Sequence, residues 1–340
     1  MLLRLLYRRG PRIALALLLV VAIILCFVPL LDVLGFERAF VSGLFCAPIG
    51  AALAVAAKRA LPERTVTDRA LTALWLGLIA LIPTAACGAL VEALTASCSP
   101  GQGLAFLLVG AGTQTAVGVA LGTVAVETPV PPGWAVALAL VASLGFALAR
   151  LWEHPQIDAF NLPFGYWPGS LYDEGIDLGA AFIAHRTLAL FTAIAVVALV
   201  HAKHDRRALF AVLFAGGIAG LLWSKGEALG FDRTRATVER TLSREVETDR
   251  WVLHVDPAIG ESRLARMKLE LTLRDAQLER FFGKKPSHKL IVYLYADDDQ
   301  KKALMGAHGT QLARPWQHEL HISGFDVPHP SLKHELAHLY

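Results

Sequence analysis

Long apolar stretches, separated by short polar segments, occupy the first two thirds of the chain and end after Trp223. A helix that rises about 1.5 Å per residue needs about 20 apolar residues to cross a hydrocarbon core of about 30 Å. The stretches are therefore predicted to be transmembrane helices; they are 13–34, 39–57, 70–93, 104–126, 134–151, 181–200 and 208–223. Gly118 and Gly122 form a small-x-x-x-small face in one of them and are predicted to serve helix packing. Residues 1–224 are accordingly interpreted as a multi-span transmembrane domain with about seven helices.

The polar and charged pattern that follows predicts a second domain of a different class. Residues 225–250 carry charges at helical spacing and are interpreted as a connecting helix. Beyond them the periodicity alternates between the two-residue repeat of strands and the 3.6-residue repeat of helices. The predicted elements are strand 251–255, helix 262–282, strand 289–295, helix 297–306, strand 317–323 and a last helix around His334. Residues 251–340 are thus predicted to form an α+β domain.

The composition excludes an ordinary soluble protein. Hydrophobic residues make up 55% of the 340 residues, only 18% are charged, and the mean hydropathy is +0.49. A lipid bilayer is therefore the expected partner. The net charge is only +3 and no basic patch is interleaved with aromatic residues, so no nucleic-acid partner is predicted. The cysteines, Cys26, Cys46, Cys87 and Cys98, are interpreted as packing residues, with a Cys87–Cys98 disulfide as the alternative.

The distribution of lysine and arginine predicts how the chain is oriented in its membrane. Cytoplasmic loops retain an excess of these residues. An arrangement with a cytoplasmic amino terminus places eleven of them inside: Arg4, Arg8, Arg9, Arg12, Lys58, Arg59, Arg64, Arg69, Lys203, Arg206 and Arg207. The opposite side receives only Arg38, Arg150, Arg186 and Lys225 near the span ends. We therefore expect an integral protein, of a bacterial inner membrane, whose carboxy-terminal domain is extracytoplasmic.

One motif that carries chemistry lies at the carboxyl end, where His334, Glu335 and His338 form H-E-x-x-H. Side chains four residues apart lie on one face of a helix, so both imidazoles can bind the same ion. This spacing is typical of zinc sites, and Glu335 is then the natural general base for a water at the open position of the ion. Pro328 and Ser331 predict that the helix begins just before His334. The alternative is a solvated helix with two histidines that bind no metal.

The segment from Trp251 to Tyr340 resembles the amino-terminal half of a gluzincin-type zinc metallopeptidase domain, of the peptidase MA-like group. The matching features are Phe282-Gly283, the strand 289–295, Ile322-Ser323-Gly324 and the motif segment 332–338. The resemblance implies a zincin-like domain that binds Zn²⁺ through His334 and His338 and hydrolyses peptide bonds with Glu335 as general base. It also implies that 317–323 is an edge strand along which a peptide or protein substrate pairs.

The third zinc ligand is the part of the site that the sequence leaves open. Gluzincins take it from a glutamate on a later helix, whereas this sequence ends two residues after His338. We therefore expect either that the sequence is a fragment of a longer chain or that another side chain completes the site. The candidates are His318, His321, Asp326 and His329.

Two functions from different classes follow from these observations. The first is a membrane-anchored zinc metallopeptidase. The second is a non-catalytic membrane sensor, scaffold or transport component with an appended metal-binding or inactive peptidase-like domain. An intramembrane protease is disfavoured, because the residues around the motif are polar and the last apolar stretch ends about a hundred residues earlier.

Overall fold

The computed structural model describes residues 1–95, 100–169, 175–325 and 327–340. Most of the chain is helical, and a small sheet region accompanies the helices. Contacts between Cα atoms divide the chain into two compact units. The amino-terminal unit is Met1–Arg150, Ala159–Trp167 and Ile176–Asp232; the carboxy-terminal unit is Leu151–Asp158, Pro168–Gly175 and Arg233–Tyr340. Cys98, and with it the alternative disulfide, lies outside the described residues.

Helices follow one another through the first part of the chain. They are α1 (Leu2–Leu6), α2 (Arg9–Leu25), α3 (Phe36–Ala60), α4 (Val66–Ile79), α5 (Ile82–Thr95), α6 (Pro100–Phe106), α7 (Gly112–Ala125), α8 (Pro132–Glu153), α9 (Ala180–Ala202) and α10 (Ala208–Ser224). A π-helical segment, Leu107–Ala111, joins α6 to α7. Between α8 and α9 the chain forms a small hairpin of β1 (Ala159–Asn161) and β2 (Gly165–Trp167).

Within the described residues, five helical segments are long and apolar enough to cross a membrane. They are Phe36–Ala60, Val66–Thr95, Gly101–Ala125, Pro132–Glu153 and Ala180–Ala202. The prediction of apolar helices of membrane-spanning length is thereby confirmed for five of the seven stretches. The other two form shorter helices, α2 and α10, of 17 residues each. Helix α2 ends at Leu25 and turns follow, because Pro29 cannot donate the backbone hydrogen bond that a continuing helix needs.

Helices α3 and α7 approach so closely that only glycine fits at two positions of their interface. A Cβ atom at Gly118 would lie 2.1 Å from the carbonyl oxygen of Ala47, and one at Gly122 would lie 2.3 Å from that of Ala51. Both contacts are with backbone atoms, which cannot move aside by changing a rotamer. The four-residue spacing places both glycines on one face of α7, the arrangement that lets helices pack closely in lipid.

A five-stranded sheet organises the carboxy-terminal unit. Its strands are β3 (Arg244–Glu247), β4 (Trp251–Val255), β5 (Leu290–Tyr295), β6 (Leu312–Arg314) and β7 (Glu319–Ser323), in the spatial order β3-β4-β5-β7-β6. The β4-β5 and β5-β7 pairs are parallel, and the outer pairs are antiparallel. The helices are α11 (Arg235–Thr241), α12 (Glu261–Phe282), α13 (Asp298–Met305) and α14 (Leu332–Ala337). The strands and helices predicted beyond residue 250 are present, with their ends shifted by a few residues.

Residues 225–250 do not form one connecting helix. Helix α11 covers only seven of them, and the chain then enters β3, which pairs with β4. A tight turn makes this hairpin, because the hydroxyl oxygen of Thr248 accepts hydrogen bonds from the backbone N–H groups of Arg250 and Trp251. Tertiary pairing here overrides the helical spacing of the charges.

The prediction that 317–323 is an edge strand is wrong. Strand β7 is paired on both sides, with β5 and with β6, and in the second pair Arg314 lies opposite Glu319. A 3₁₀ turn, Pro315–Gln317, connects β6 to β7 and ends at His318, which has a φ of 58°. Because this connection is short, the two strands lie side by side as a hairpin. On this side of the sheet the edge strand is therefore β6.

Different helices pack on the two faces of the sheet. On the first face, Leu253, Val292 and Leu320 form an apolar core with residues of α12 and α14, including Leu271 and Leu336. On the second face, the apolar cover includes Tyr293 and Tyr295 of β5 with Val238 of α11 and Leu304 and Met305 of α13. Side chains alternate along a strand, so Glu319, His321 and Ser323 share the second face of β7. Both faces of this strand are consequently buried.

We predict that Gly118→Ala destabilises the amino-terminal unit, because the added methyl group forces α7 away from α3. Overpacking of this kind costs about 1–3 kcal/mol. Gly145→Ala on α8 is the matched control, since no neighbouring atom lies within 4 Å of the added Cβ and alanine favours a helix. Thermal unfolding of the purified full chain in detergent measures both effects. Equal stability of the two variants would contradict the close approach.

Candidate metal centre

Helix α14 carries the motif and packs against the apolar core of the carboxy-terminal unit. Leu332 and Leu336, one turn apart, are fully buried against the sheet and α12. His334 and His338 point away from this core and are exposed. Glu335 is intermediate, with its side chain 15% exposed. The buried leucines thus fix which side of the helix faces the core, and the two histidines follow on the open side.

Helix α14 begins at Leu332, just before His334 as predicted, with Ser331 at its N-cap position and the side chain of His329 beside this end. Ser331 makes no capping hydrogen bond with its side chain. Instead, Nδ1 of His329 accepts hydrogen bonds from the backbone N–H groups of Ser331 (3.3 Å) and Leu332 (3.1 Å), while Nε2 donates to the carbonyl oxygen of Ser323. The backbone N–H of His329 donates to both carboxylate oxygens of Glu270, which is also buried. The side chain of His329 therefore accepts hydrogen bonds from two backbone N–H groups at the start of α14 that have no partner within the helix.

The two histidines of the motif lie at a separation that suits a shared ion. Their Nε2 atoms are 3.3 Å apart, and the ring planes are nearly perpendicular. A tetrahedral zinc ion with Zn–N bonds of about 2.1 Å places two nitrogen ligands about 3.4 Å apart. The same distance also allows an N–H···N hydrogen bond between two neutral rings. The pair accordingly fits two positions of a zinc coordination sphere.

Glu335 connects the motif to the edge strand of the sheet. Its Oε2 atom accepts a hydrogen bond from the backbone N–H of Ala313, in β6, at 3.0 Å. Its Oε1 atom lies 4.0 Å from Nε2 of His334. One carboxylate oxygen is thus tied to the strand edge while the other lies on the side of the histidine pair.

The described residues contain no group of three metal-ligating side chains. Of the four candidates for a third ligand, His321 is fully buried with Nδ1 2.9 Å from the hydroxyl of Tyr295, and His329 uses both ring nitrogens at the start of α14. His318 lies against the ring of His288, with the ring centroids 3.3 Å apart. Asp326 lies outside the described residues. The structure thus brings together the two motif histidines and the carboxylate of Glu335.

A buried charge cluster around Glu319, which the sequence analysis did not identify, supports the edge strand. The carboxylate of Glu319 lies 2.6 Å from Arg235, 3.6 Å from His321 and 4.0 Å from Arg314. Burial raises the pKa of Glu319, but His321 and the two arginines outweigh it, so the net pKa is lowered and the group stays ionised. Burial lowers the pKa of His321, which keeps this ring neutral. The cluster therefore pairs one carboxylate with two guanidinium groups.

Comparisons with known proteins give no relative for this chain: no family model, curated protein or solved structure matches it. The resemblance to gluzincins therefore rests on the motif and on the order of strands and helices.

Glu319→Gln is predicted to loosen the β5-β7-β6 part of the sheet, because it removes the buried carboxylate that Arg235 and Arg314 share. Breaking a buried ion pair costs about 3–5 kcal/mol, which corresponds to hydrogen exchange at least about 100-fold faster. Glu279→Gln is the matched control, since the Glu279–Lys285 pair is largely exposed and such pairs contribute little. Exchange measured by mass spectrometry on the full chain compares the variants. Unchanged protection of β7 in Glu319→Gln would rule out this role.

Proposed function

We propose that the protein is a membrane-anchored zinc metallopeptidase. The observation that carries the proposal is the 3.3 Å separation of the Nε2 atoms of His334 and His338. It is supported by the carboxylate of Glu335, which lies beside this pair and is fixed by a backbone hydrogen bond. Five helices of membrane-spanning length support the anchoring. The chemistry proposed is hydrolysis of peptide bonds.

His334 and His338 are the residues that would hold the ion, each as a neutral imidazole. When bound, zinc supplies Lewis acidity and makes a water ionisable near neutral pH. Catalytic zinc sites generally have three protein ligands. The proposal therefore requires one further ligand beyond the side chains that the structure brings together.

Glu335 is assigned the role of general base. It takes a proton from the attacking water and passes it to the nitrogen of the leaving amine, so no covalent intermediate with the protein forms. The hydrogen bond from Ala313 holds its carboxylate in one orientation, which reduces the loss of side-chain freedom during the reaction. The same residue can serve both proton transfers, because protonation in the first step makes it the acid for the second.

The edge of β6 is proposed to bind the substrate in an extended conformation. The N–H of Ala313 donates to Glu335 and not to β7, so it points toward the open side of the strand. A peptide that pairs with an exposed strand gains affinity from main-chain hydrogen bonds. The edge of β6 takes the place of the predicted substrate strand 317–323, because β7, which lies in that range, is already paired on both sides.

Seven crossings are proposed for the membrane part, with α2 and α10 added to the five longer segments. Each of these two helices has 17 residues, which is at the lower end of the range of about 17–25 for a transmembrane helix. The bias of lysine and arginine supports a cytoplasmic amino terminus. An odd number of crossings then leaves the carboxyl end outside the cytoplasm, and the proposed location is a bacterial inner membrane.

A second candidate function is a non-catalytic membrane sensor, scaffold or transport component with a peptidase-like appendage. One observation favours it, namely that the described residues contain no group of three metal-ligating side chains. Two imidazoles alone form a weak site. The zinc content of the protein distinguishes the two functions.

The purified full chain is expected to bind about one zinc ion per molecule, as a site formed by one motif would. His334→Ala and His338→Ala should each abolish this binding, because the loss of one motif imidazole leaves fewer than the three protein ligands that a catalytic zinc site generally has. His288→Ala is the matched control, since this exposed histidine lies against His318 and outside the motif. Metal analysis after dialysis gives the stoichiometry. A value near zero for the unaltered chain supports the second function, and zinc retained by both motif variants contradicts the proposed site.

Glu335→Gln is expected to keep the zinc and to lower peptide hydrolysis by about 10²–10⁴-fold, because glutamine cannot take the proton. Its amide oxygen can still accept the hydrogen bond from Ala313, so the fold is preserved. Cleavage of a library of quenched fluorescent peptides, with zinc measured in the same samples, tests this expectation. Glu279→Gln should retain full activity. Full hydrolysis by a zinc-loaded Glu335→Gln chain would remove this residue from the mechanism.

A further inference from the structure

An apolar groove of about 400 Å³ runs between four helices of the amino-terminal unit. This volume falls within the range of about 300–1,000 Å³ that is common for small-molecule sites. Side chains of α4 and α10 line it together with side chains of α7 and α9. Alanines account for much of the lining, and four of them, Ala70, Ala116, Ala193 and Ala198, are themselves buried. Space remains along these helices because the side chains are too short to fill it.

The polar lining residues mark one end of the groove. Thr67 lies in the first turn of α4, His201 in the last turn of α9, and Asp205 in the connection between α9 and α10. Toward the other end the lining is aliphatic as far as Leu190. The ligand that fits must therefore have a long apolar part and a polar part at one end.

The length of the groove matches one leaflet of a bilayer. The groove follows α9 from Leu190 to His201, and the eleven steps between these residues span about 16 Å at 1.5 Å per residue. The hydrocarbon core of a bilayer is about 30 Å thick, so half of it is about 15 Å. A single hydrocarbon chain that starts at the membrane surface reaches the midplane over this distance.

Positive charge surrounds the polar end. The connection from α9 to α10 carries Lys203, Arg206 and Arg207, all exposed, against one acidic residue, Asp205. The carboxylate of Asp205 accepts the backbone N–H of Arg207, and the connection carries three positive charges against this one negative charge. Basic positions at the ends of transmembrane helices attract anionic lipid headgroups.

We propose that this groove binds one acyl chain of an anionic phospholipid, whose phosphate lies against the basic connection 203–207. Lipid is the ligand that the surroundings supply, since three of the four wall helices, α4, α7 and α9, belong to segments of membrane-spanning length and the fourth, α10, is apolar. The second acyl chain of the lipid stays in the bilayer, because the volume and length of the groove suit one chain. The site is independent of the metal centre and of the proposed peptidase activity.

Lipid binding to the full chain in detergent tests this proposal, with phosphatidylglycerol and phosphatidylcholine of equal chain length as probes. Native mass spectrometry is expected to show one retained phosphatidylglycerol and at least about fivefold weaker retention of phosphatidylcholine, since each cation near the headgroup contributes about 1 kcal/mol. Equal retention of the two lipids by the unaltered chain would overturn the headgroup assignment and with it the proposal.

Ala211→Phe tests whether the lipid occupies the groove. Ala211 lines the groove and is exposed, so the larger side chain fills the space without disturbing the core. Ala137→Phe on α8 is the matched control, because Ala137 is also exposed but lies outside the groove. Phosphatidylglycerol should be lost from Ala211→Phe and kept by Ala137→Phe. The triple variant K203Q/R206Q/R207Q should bind the two lipids equally. Retention of phosphatidylglycerol by Ala211→Phe at the unaltered level would exclude the groove as the site.

Discussion

The attachment of α14 to the sheet is the constraint on which the candidate centre depends. A helix of six residues forms too few internal hydrogen bonds to be stable alone. Its position is set instead by Leu332 and Leu336 in the core, and by His329, which binds the free backbone donors at its start. Beyond the helix, the hydroxyl of Tyr340 donates to the backbone carbonyl of Asp275 in α12. The separation of the two motif histidines is therefore a property of the folded unit.

The edge strand and the motif are held by a continuous set of polar contacts. Glu335 accepts the N–H of Ala313, and the next residue, Arg314, lies opposite Glu319 in the sheet. Glu319 is anchored in turn by Arg235, which belongs to α11. Removing charges from water is costly unless they are paired, so this cluster accepts few alternative arrangements. The position of the proposed base thus depends on groups buried on the other face of the sheet.

Local periodicity explains which parts of this fold are predictable from the sequence. The sequence of α12 shows the 3.6-residue repeat of a helix, and that of β5 shows the two-residue repeat of a strand. The motif H-E-x-x-H is recognised by the four-residue spacing of its histidines. The short strands β3 and β6 do not, because three or four residues are too few to show a repeat and their partners are reached through tight turns. The position of Glu319 at the centre of a buried charge cluster is not predictable from the sequence, for a related reason. An acidic residue alternating with apolar ones indicates a solvated strand face, whereas here α11 and α13 cover that face.

Small residues have two opposite effects in the amino-terminal unit, and the sequence does not separate them. At Gly118 and Gly122 the neighbouring backbone occupies the space that a side chain would need. At Ala193 and Ala211 the side chains are also short, but here a groove remains beside them. The difference lies in the surroundings, because backbone atoms of α3 lie directly against these glycines of α7, whereas a groove remains between α4, α7, α9 and α10. Close packing without a cavity gains dispersion energy between protein atoms, and an open apolar groove in lipid gains the same energy only when a hydrocarbon chain fills it. A stripe of small residues therefore indicates a helix interface in the first case and a lipid site in the second.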